Sequence, residues 1–577
     1  MKRMLLIVAA LLLAATASAA ESFWPEQKAP RGVVRATNHE AFSSFPLVVP
    51  EGVEDGAFGP THFLVQSVAG LAACAVNEGR HDEMVWIEVG HPSLHLNPAY
   101  AELRERAMER LGAEDRGALT PWGLVRRFRD AGVIKGYILY RHDRSPGGFE
   151  QLRPGMDQSV NVATTVAGLL GGVLVEEHLE PLALQLGLPM LLDARGLSLE
   201  EAMAPHAGRF SHQAVGILDP KVPNQRDYLI AHAIPVHYGA DATMEWLLEK
   251  TAPLSPVIGW NGEDEGKATR RVSEWALFNT ASNRVMNLPV LSAGAREARP
   301  APLEGGPRSA QGTGPSVAFM LSDGDNLSWV LGEITHAPDS LANAARGRHA
   351  FSWTTPMATL SQLAPDGFEM VRERLGPLDG VAEFGGGYFF PEVFGARRGE
   401  GDWLAAYARK LAPHMQASGV TVLHLLVMED ALSAETRAAC AVLAASIPGL
   451  EGITLNQYHP YEGGGGGLFW VRNAEGEEIP AVSATWALWA GGDTSSRGGP
   501  SHLAGLVNAW REKGPQDAVA HRWAVVHAWS DFEGAQGEMR RGLDPVWWSI
   551  DQLGPSLDVV TVQEMMRRLR AERAASK

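Results

Sequence analysis

Ser322-Asp323-Gly324-Asp325-Asn326 places two carboxyls on either side of a glycine, directly after an apolar run. A turn after a strand needs one short polar side chain, not two carboxyls and an amide. Carboxylates this close raise one another's pKa unless a cation or substrate intervenes, and that readies a group for proton transfer. Glu429 follows the run Val420–Val427, and Asp531 follows Arg522–Trp529. Two such carboxyls can cleave a glycosidic bond, one as acid and one as base or nucleophile. We take Asp325 and Glu429 as the leading catalytic pair, with Asp323 and Asp531 in reserve. A lone Asp beyond a strand more commonly caps a helix or shapes a turn. That competing reading weighs most on Asp430 and Asp531. Thr561 and Glu564 have the spacing of a capping box and are read as structural.

Rings and amides gather near the same apolar-run ends. Candidate binding residues are Asn326, Trp353, Gly385, Gly387, Tyr388, Phe390, Gln457, Trp489 and Trp529, with Trp260 from the first part of the chain. Any single Trp more commonly packs a core. Several beside carboxyls and amides suit a sugar, whose faces stack on rings and whose hydroxyls both donate and accept. In Glu383–Gly395, EFGGGYFFPEVFG, the glycines allow a turn and a close approach to the backbone, Tyr388 offers a ring and a hydroxyl, and Pro391 fixes the exit. His459 and His527 also follow apolar runs, but no H-x-H or H-x-x-x-H pair accompanies them, so no metal site is assigned. No G-x-G-x-x-G follows the first strand and no P-loop occurs, so no nucleotide or other cofactor is expected.

Eight short runs must carry these residues: Ser316–Asp323, Ala350–Thr354, Gly380–Gly386, Val420–Val427, Gly452–Tyr458, Ala481–Leu488, Arg522–Trp529 and Ser556–Thr561, with helical patterns between them. The alternation predicts an α/β fold with a C-terminal (β/α)8-like barrel, whose site lies at the strand C-termini. The glycine-rich run Glu462–Trp470 reads as a loop. Earlier runs at Met84–Val89, Gly136–Arg141, Gly172–Glu176, Met190–Gly196, Ala233–Gly239 and Pro256–Trp260 predict an N-terminal α/β domain with a mainly parallel sheet. Between the two, Gly294–Ser316 is rich in Pro, Gly, Ser and Arg and has no apolar period. The expected division is 1–20 signal peptide, 21–297 N-terminal domain, 298–315 linker and 316–577 barrel.

A net charge of −17 argues against the clustered basic surface that nucleic acid or an anionic membrane requires. Met1-Lys2-Arg3, the apolar run Met4–Leu13 and the small residues before Glu21 form a signal-peptide pattern, predicting a periplasmic or secreted protein. No later run is long enough for membrane insertion. Cys74 and Cys440, the two cysteines, are expected to be small buried residues, not a bridge.

GGGYFFP, Gly385–Pro391, resembles the signature of the GxGYxYP glycoside hydrolase family, with Phe390 where that pattern has Tyr. FMLSDGDNLSW and VIGWNGEDE, Val257–Glu265, extend the likeness over most of the chain. The resemblance implies a carbohydrate-active protein in two domains. The N-terminal domain either shapes one wall of the cleft, with Trp260, Glu263 and Glu265 facing it from the N-terminal side, or merely packs against the barrel. The expectation is a glycoside hydrolase acting on an oligo- or polysaccharide. A non-catalytic glycan-binding protein is the alternative, and a metal-dependent carbohydrate deacetylase a weaker one.

Overall fold

Most of the apolar runs become strands, but they sort into more sheets than their spacing suggests. A computed structural model gives the fold of residues 21–37, 59–88, 97–303, 314–428, 430–458, 464–513 and 520–577. The signal-peptide pattern, Glu429, His459 and Arg308 of the linker lie outside these residues.

The N-terminal region holds three small sheets. The first joins β1 (Gly32–Ala36), β2 (Glu83–Ile87) and β3 (Glu114–Leu119). The second joins β4 (Gly136–Tyr140), β5 (Gly172–Glu176) and β6 (Met190–Asp193). The third joins β7 (Val215–Ile217), β8 (Val236–His237), β9 (Pro256–Gly259) and β10 (Phe278–Ala281) in the order β10-β9-β7-β8. Every pairing is parallel, as expected, yet it is divided among three sheets. The helix Pro60–Asn77 explains the division. It is buried along nearly its whole length and packs on β2, β5 and the helix Arg226–Ala231. A helix that is apolar on every side forms a shared core between layers. Strands β1, β3, β7 and β10 fall outside the runs read from sequence.

The C-terminal region forms one large curled sheet: β11 (Ser316–Leu321), β12 (Phe351–Thr355), β13 (Asp379–Glu383), β14 (Val422–Val427), β15 (Gly452–Gln457), β16 (Leu468–Arg472), β17 (Glu478–Ser483), β18 (Trp486–Leu488), β19 (Arg497–Gly498), β20 (His521–Val526) and, beyond the hairpin β21 (Phe532–Glu533) and β22 (Met539–Arg540), β23 (Asp558–Val560). All eight expected strands are present, but they do not pair as a regular eight-stranded ring. The sixth run splits at Ala484–Thr485. Its first part, β17, pairs with β15; its second, β18, pairs with β20. At the split, the Ala484 amide donates to Leu455 on β15 and the Thr485 amide to Trp523 on β20. The eighth strand, β23, pairs only with the first half of β11, while β12 pairs with the second half.

The last helix, Val562–Ala575, accounts for that displacement. Thr561 caps it, accepting the Glu564 amide as the capping pattern requires. Val562, Met565, Met566 and Leu569 enter a cluster with Ala318, Met320, Ala382, Val422, Trp523 and Val525 inside the curl. The helix closes the end of the curl where the strands begin. Gly380 and Gly452 leave room for it: a Cβ there would stand 2.3 Å from Gln563 and 2.5 Å from Met566. The glycine-rich run read as a loop ends in β16, which pairs antiparallel with β17. Cys74 and Cys440 are both free. Among the described residues no helix is long and apolar enough to cross a membrane.

Candidate functional site

A pocket of about 680 Å³ opens where the curled sheet's strands end and the third N-terminal sheet leans over them. This is within the usual size of a small-molecule site. Four acids line it: Asp323 and Asp325 from the C-terminal region, Glu150 and Glu265 from the N-terminal region.

Asp323 and Asp325 hang from the turn after β11. A Cβ on Gly324 would sit 2.1 Å from the Thr354 carbonyl oxygen, so only glycine fits between them. The Gly324 amide donates to Thr354 Oγ1 at 3.0 Å, tying the turn to β12. Asp323 takes a left-handed backbone, φ 63°, which Asp tolerates better than most residues. Its Oδ1 accepts the Trp529 indole N–H at 3.0 Å, and its Oδ2 accepts the Ser322 hydroxyl. Asn326 is spent on structure: its side chain caps the turn Leu327–Trp329.

Glu265 begins the helix Glu265–Glu274, which Asp264 caps by accepting the Lys267 amide at 3.0 Å. Beside it Gly266 admits Tyr458. A Cβ there would meet the Tyr458 ring at 2.5 Å, and the Gly266 amide donates to the Tyr458 hydroxyl at 3.1 Å. Glu150 faces the pocket already paired: Arg284 donates to it twice, and Asn283 once. On the far side Trp489 stacks on His527 with ring centres 4.3 Å apart, and the Arg497 guanidinium lies over the Trp489 ring.

The glycine run joins the two regions. Gly385 and Gly386 take left-handed backbones, φ 71° and 80°. The fully buried Glu383 holds the turn by accepting the Gly386 and Ala358 amides. Gly387 lies against β10, where a Cβ would be 2.3 Å from Phe278 and 2.7 Å from the Asn279 oxygen. Asn279 and Tyr388 then exchange two backbone hydrogen bonds, 2.8 and 2.9 Å. Ala281, two residues on, bridges to Asn326. The close approach expected of these glycines is made by another strand of the same chain.

Tyr388 is 2% exposed, with Phe384 and Phe390 packed edge-on to its ring. It therefore offers the pocket a hydroxyl, not the stacking face its ring suggested. That hydroxyl has no partner at hydrogen-bonding distance among the described residues, and it faces Glu265 closely enough to favour that group's ionised form.

Burial raises the Glu265 pKa to about 7, aided by the charges of Asp323 and Asp264. Burial, with Asp323 and Glu265 nearby, holds Asp325 well above the usual carboxylate range. Burial also pushes Tyr458 up to about 12 and lowers His527.

The pocket gathers Asp323, Asp325, Asn326, Tyr388, Trp260, Trp489 and Trp529 from the sequence candidates. Others lie elsewhere. Asp531 is exposed on the surface. Trp353 is buried and donates its N–H to Asp379. Gln457 accepts the Ala431 amide, and Phe390 packs behind Tyr388. Asp430 accepts the Leu432 amide as a turn former. Glu150, Arg284 and Arg497 carried no signal beyond their own types, and Tyr458 only its place at a strand end.

Residues 316–570 match the model of the GxGYxYP putative glycoside hydrolase C-terminal domain, and residues 134–207 that of the GxGYxYP_N second domain. Among solved structures, the crystal structure of a putative hydrolase from Bacteroides thetaiotaomicron VPI-5482 is similar. It shares 20% identity over 96% of this chain and 98% of that one, with a TM-score of 0.73. At that identity the likeness is one of fold. No curated protein matches the chain.

Proposed function

The chain belongs to the GxGYxYP putative glycoside hydrolase family, and from that premise we propose that it hydrolyses a glycosidic bond of an oligo- or polysaccharide in the pocket between its two regions. The reading rests on one observation: acids raised in pKa converge in a pocket walled by aromatic rings. Trp260 is the ring best placed to stack on a sugar, since Trp489 already stacks on His527 and Trp529 is fixed by Asp323. Burial and its acidic neighbours favour the protonated form of Asp325, which delivers its proton to the leaving oxygen, as a general acid must. Asp323, held by Trp529 and Ser322, sets the field around it. The N-terminal pattern fits delivery to the periplasm or the exterior, where such glycans are met.

The test is a screen of plant and bacterial glycans for release of reducing sugar, followed by Asp325→Asn on any substrate found. Turnover should fall about 10²–10⁴-fold with sugar affinity retained. Binding without product under every condition, unchanged in Asp325→Asn, would make the protein a glycan binder instead. The deacetylase alternative gains no support from the geometry: among the described residues no group of three His, Cys, Asp or Glu is placed to hold a metal ion.

A further inference from the structure

We propose that Glu265 is the second catalytic carboxyl, acting on the anomeric carbon from the N-terminal region while Asp325 serves the leaving group from the C-terminal one. The inference rests on the hydrolase reading and deepens it.

Three observations place Glu265 in this role. It shares the pocket with Asp325, and its charge raises the Asp325 pKa. Its backbone is fixed twice over, by the Asp264 cap and by the contact of Gly266 with Tyr458. A helix N-terminus also favours the charge that a base or nucleophile carries. Most telling is the Tyr388 hydroxyl, nearly fully buried, with no partner in good hydrogen-bonding geometry among the described residues, yet close enough to Glu265 to favour its ionised form. A donor placed there stabilises the carboxylate that a base or nucleophile must present at the start of turnover.

The groups facing Glu265 are Asp323, Asp325, Asp264, Tyr388 and Tyr458. Asp323 and Glu265 raise Asp325, while Tyr388 favours the ionised Glu265, so the two carboxyls sit in different surroundings, and such a difference divides acid from base. In the reaction the glycosidic C–O bond breaks and the leaving oxygen takes the Asp325 proton. The anomeric carbon bonds to the Glu265 carboxylate or to a water whose proton Glu265 accepts. In the first case water then cleaves the ester and returns a proton to Asp325.

The experiment uses full-length protein and aryl glycosides of the cleaved sugar, with 2,4-dinitrophenyl and with poorer leaving groups. Glu265→Gln should lower kcat/KM about 10²–10⁴-fold on both kinds and abolish the acidic limb of the pH profile near pH 7, with sugar binding by calorimetry retained. Asp325→Asn should spare the dinitrophenyl substrate. Tyr388→Phe removes a donor to the ionised Glu265, so the acidic limb should move to higher pH. Glu265→Gln keeping more than a tenth of the wild-type kcat/KM, with its acidic limb intact, overturns the proposal while Asp325→Asn still upholds the hydrolase. Wild-type protein that binds these sugars and cleaves none removes the hydrolase reading, and Glu265's role with it.

Discussion

Glu265 is held in a place that favours its protonated form, and this has a measurable cost. A carboxyl whose folded pKa is raised contributes stability below its unfolded value near 4.5, and that contribution is lost as pH rises through about 7. Glu265→Gln should therefore raise Tm at pH 8, by the equivalent of about 1–3 kcal/mol, with the gain vanishing near pH 4. A thermal melt at the two pH values checks this, and equal Tm shifts at both would contradict it. Trp260→Ala should weaken sugar binding by about 1–2 kcal/mol in calorimetry. At this scale the sequence made Asp323 and Asp325 legible, because two acids flanking a glycine exceed what a turn needs. Asp531 misled: a residue just beyond a strand can face either way, and this one faces solvent. Glu150 comes from the other region, a juxtaposition no local pattern encodes, and Glu265 was expected at the cleft only through VIGWNGEDE, not from its spacing to Asp325.

Between β10 and the glycine run the fit is steric. Gly387→Ala forces a Cβ into Phe278 and the Asn279 carbonyl, and such overpacking costs about 1–3 kcal/mol. The expected result is a lower Tm together with reduced activity, since the same contact seats Tyr388. A variant with unchanged melting would show that β10 does not bear on the turn. Strand existence was largely legible in the C-terminal region, where β-branched runs alternate with helices. Closure was not, because it depends on where the last helix goes. Val562, Met565 and Met566 fill the inside of the curl and draw β23 from the expected place. β10 itself, Phe278-Asn279-Thr280-Ala281, is short and carries two polar residues, so its composition does not mark it as a strand.

The whole molecule is two regions seamed along one cleft. Residues 298–315 were expected to link them. The first part of that run is tied down: the Ala301 amide donates to Glu369, and the Leu303 amide to Ser418. Trypsin should therefore cut only slowly at Arg299, beside the held segment, when the linker is cleaved. The two fragments should co-elute in gel filtration, because the β10 bridges do not depend on the linker. Fragments that separate without denaturant would show the seam to be weak. That seam has a thermodynamic consequence. Residues of both regions line the pocket, so a glycan seated there touches both and acts as a reversible clasp. Binding to the folded form alone adds about 2.7 kcal/mol at a hundred times Kd, whether or not a bond is cleaved. A melting curve recorded against a glycan library, in the Asp325→Asn protein, would then reveal the preferred sugar from the fold's own resistance to heat, before any turnover is seen.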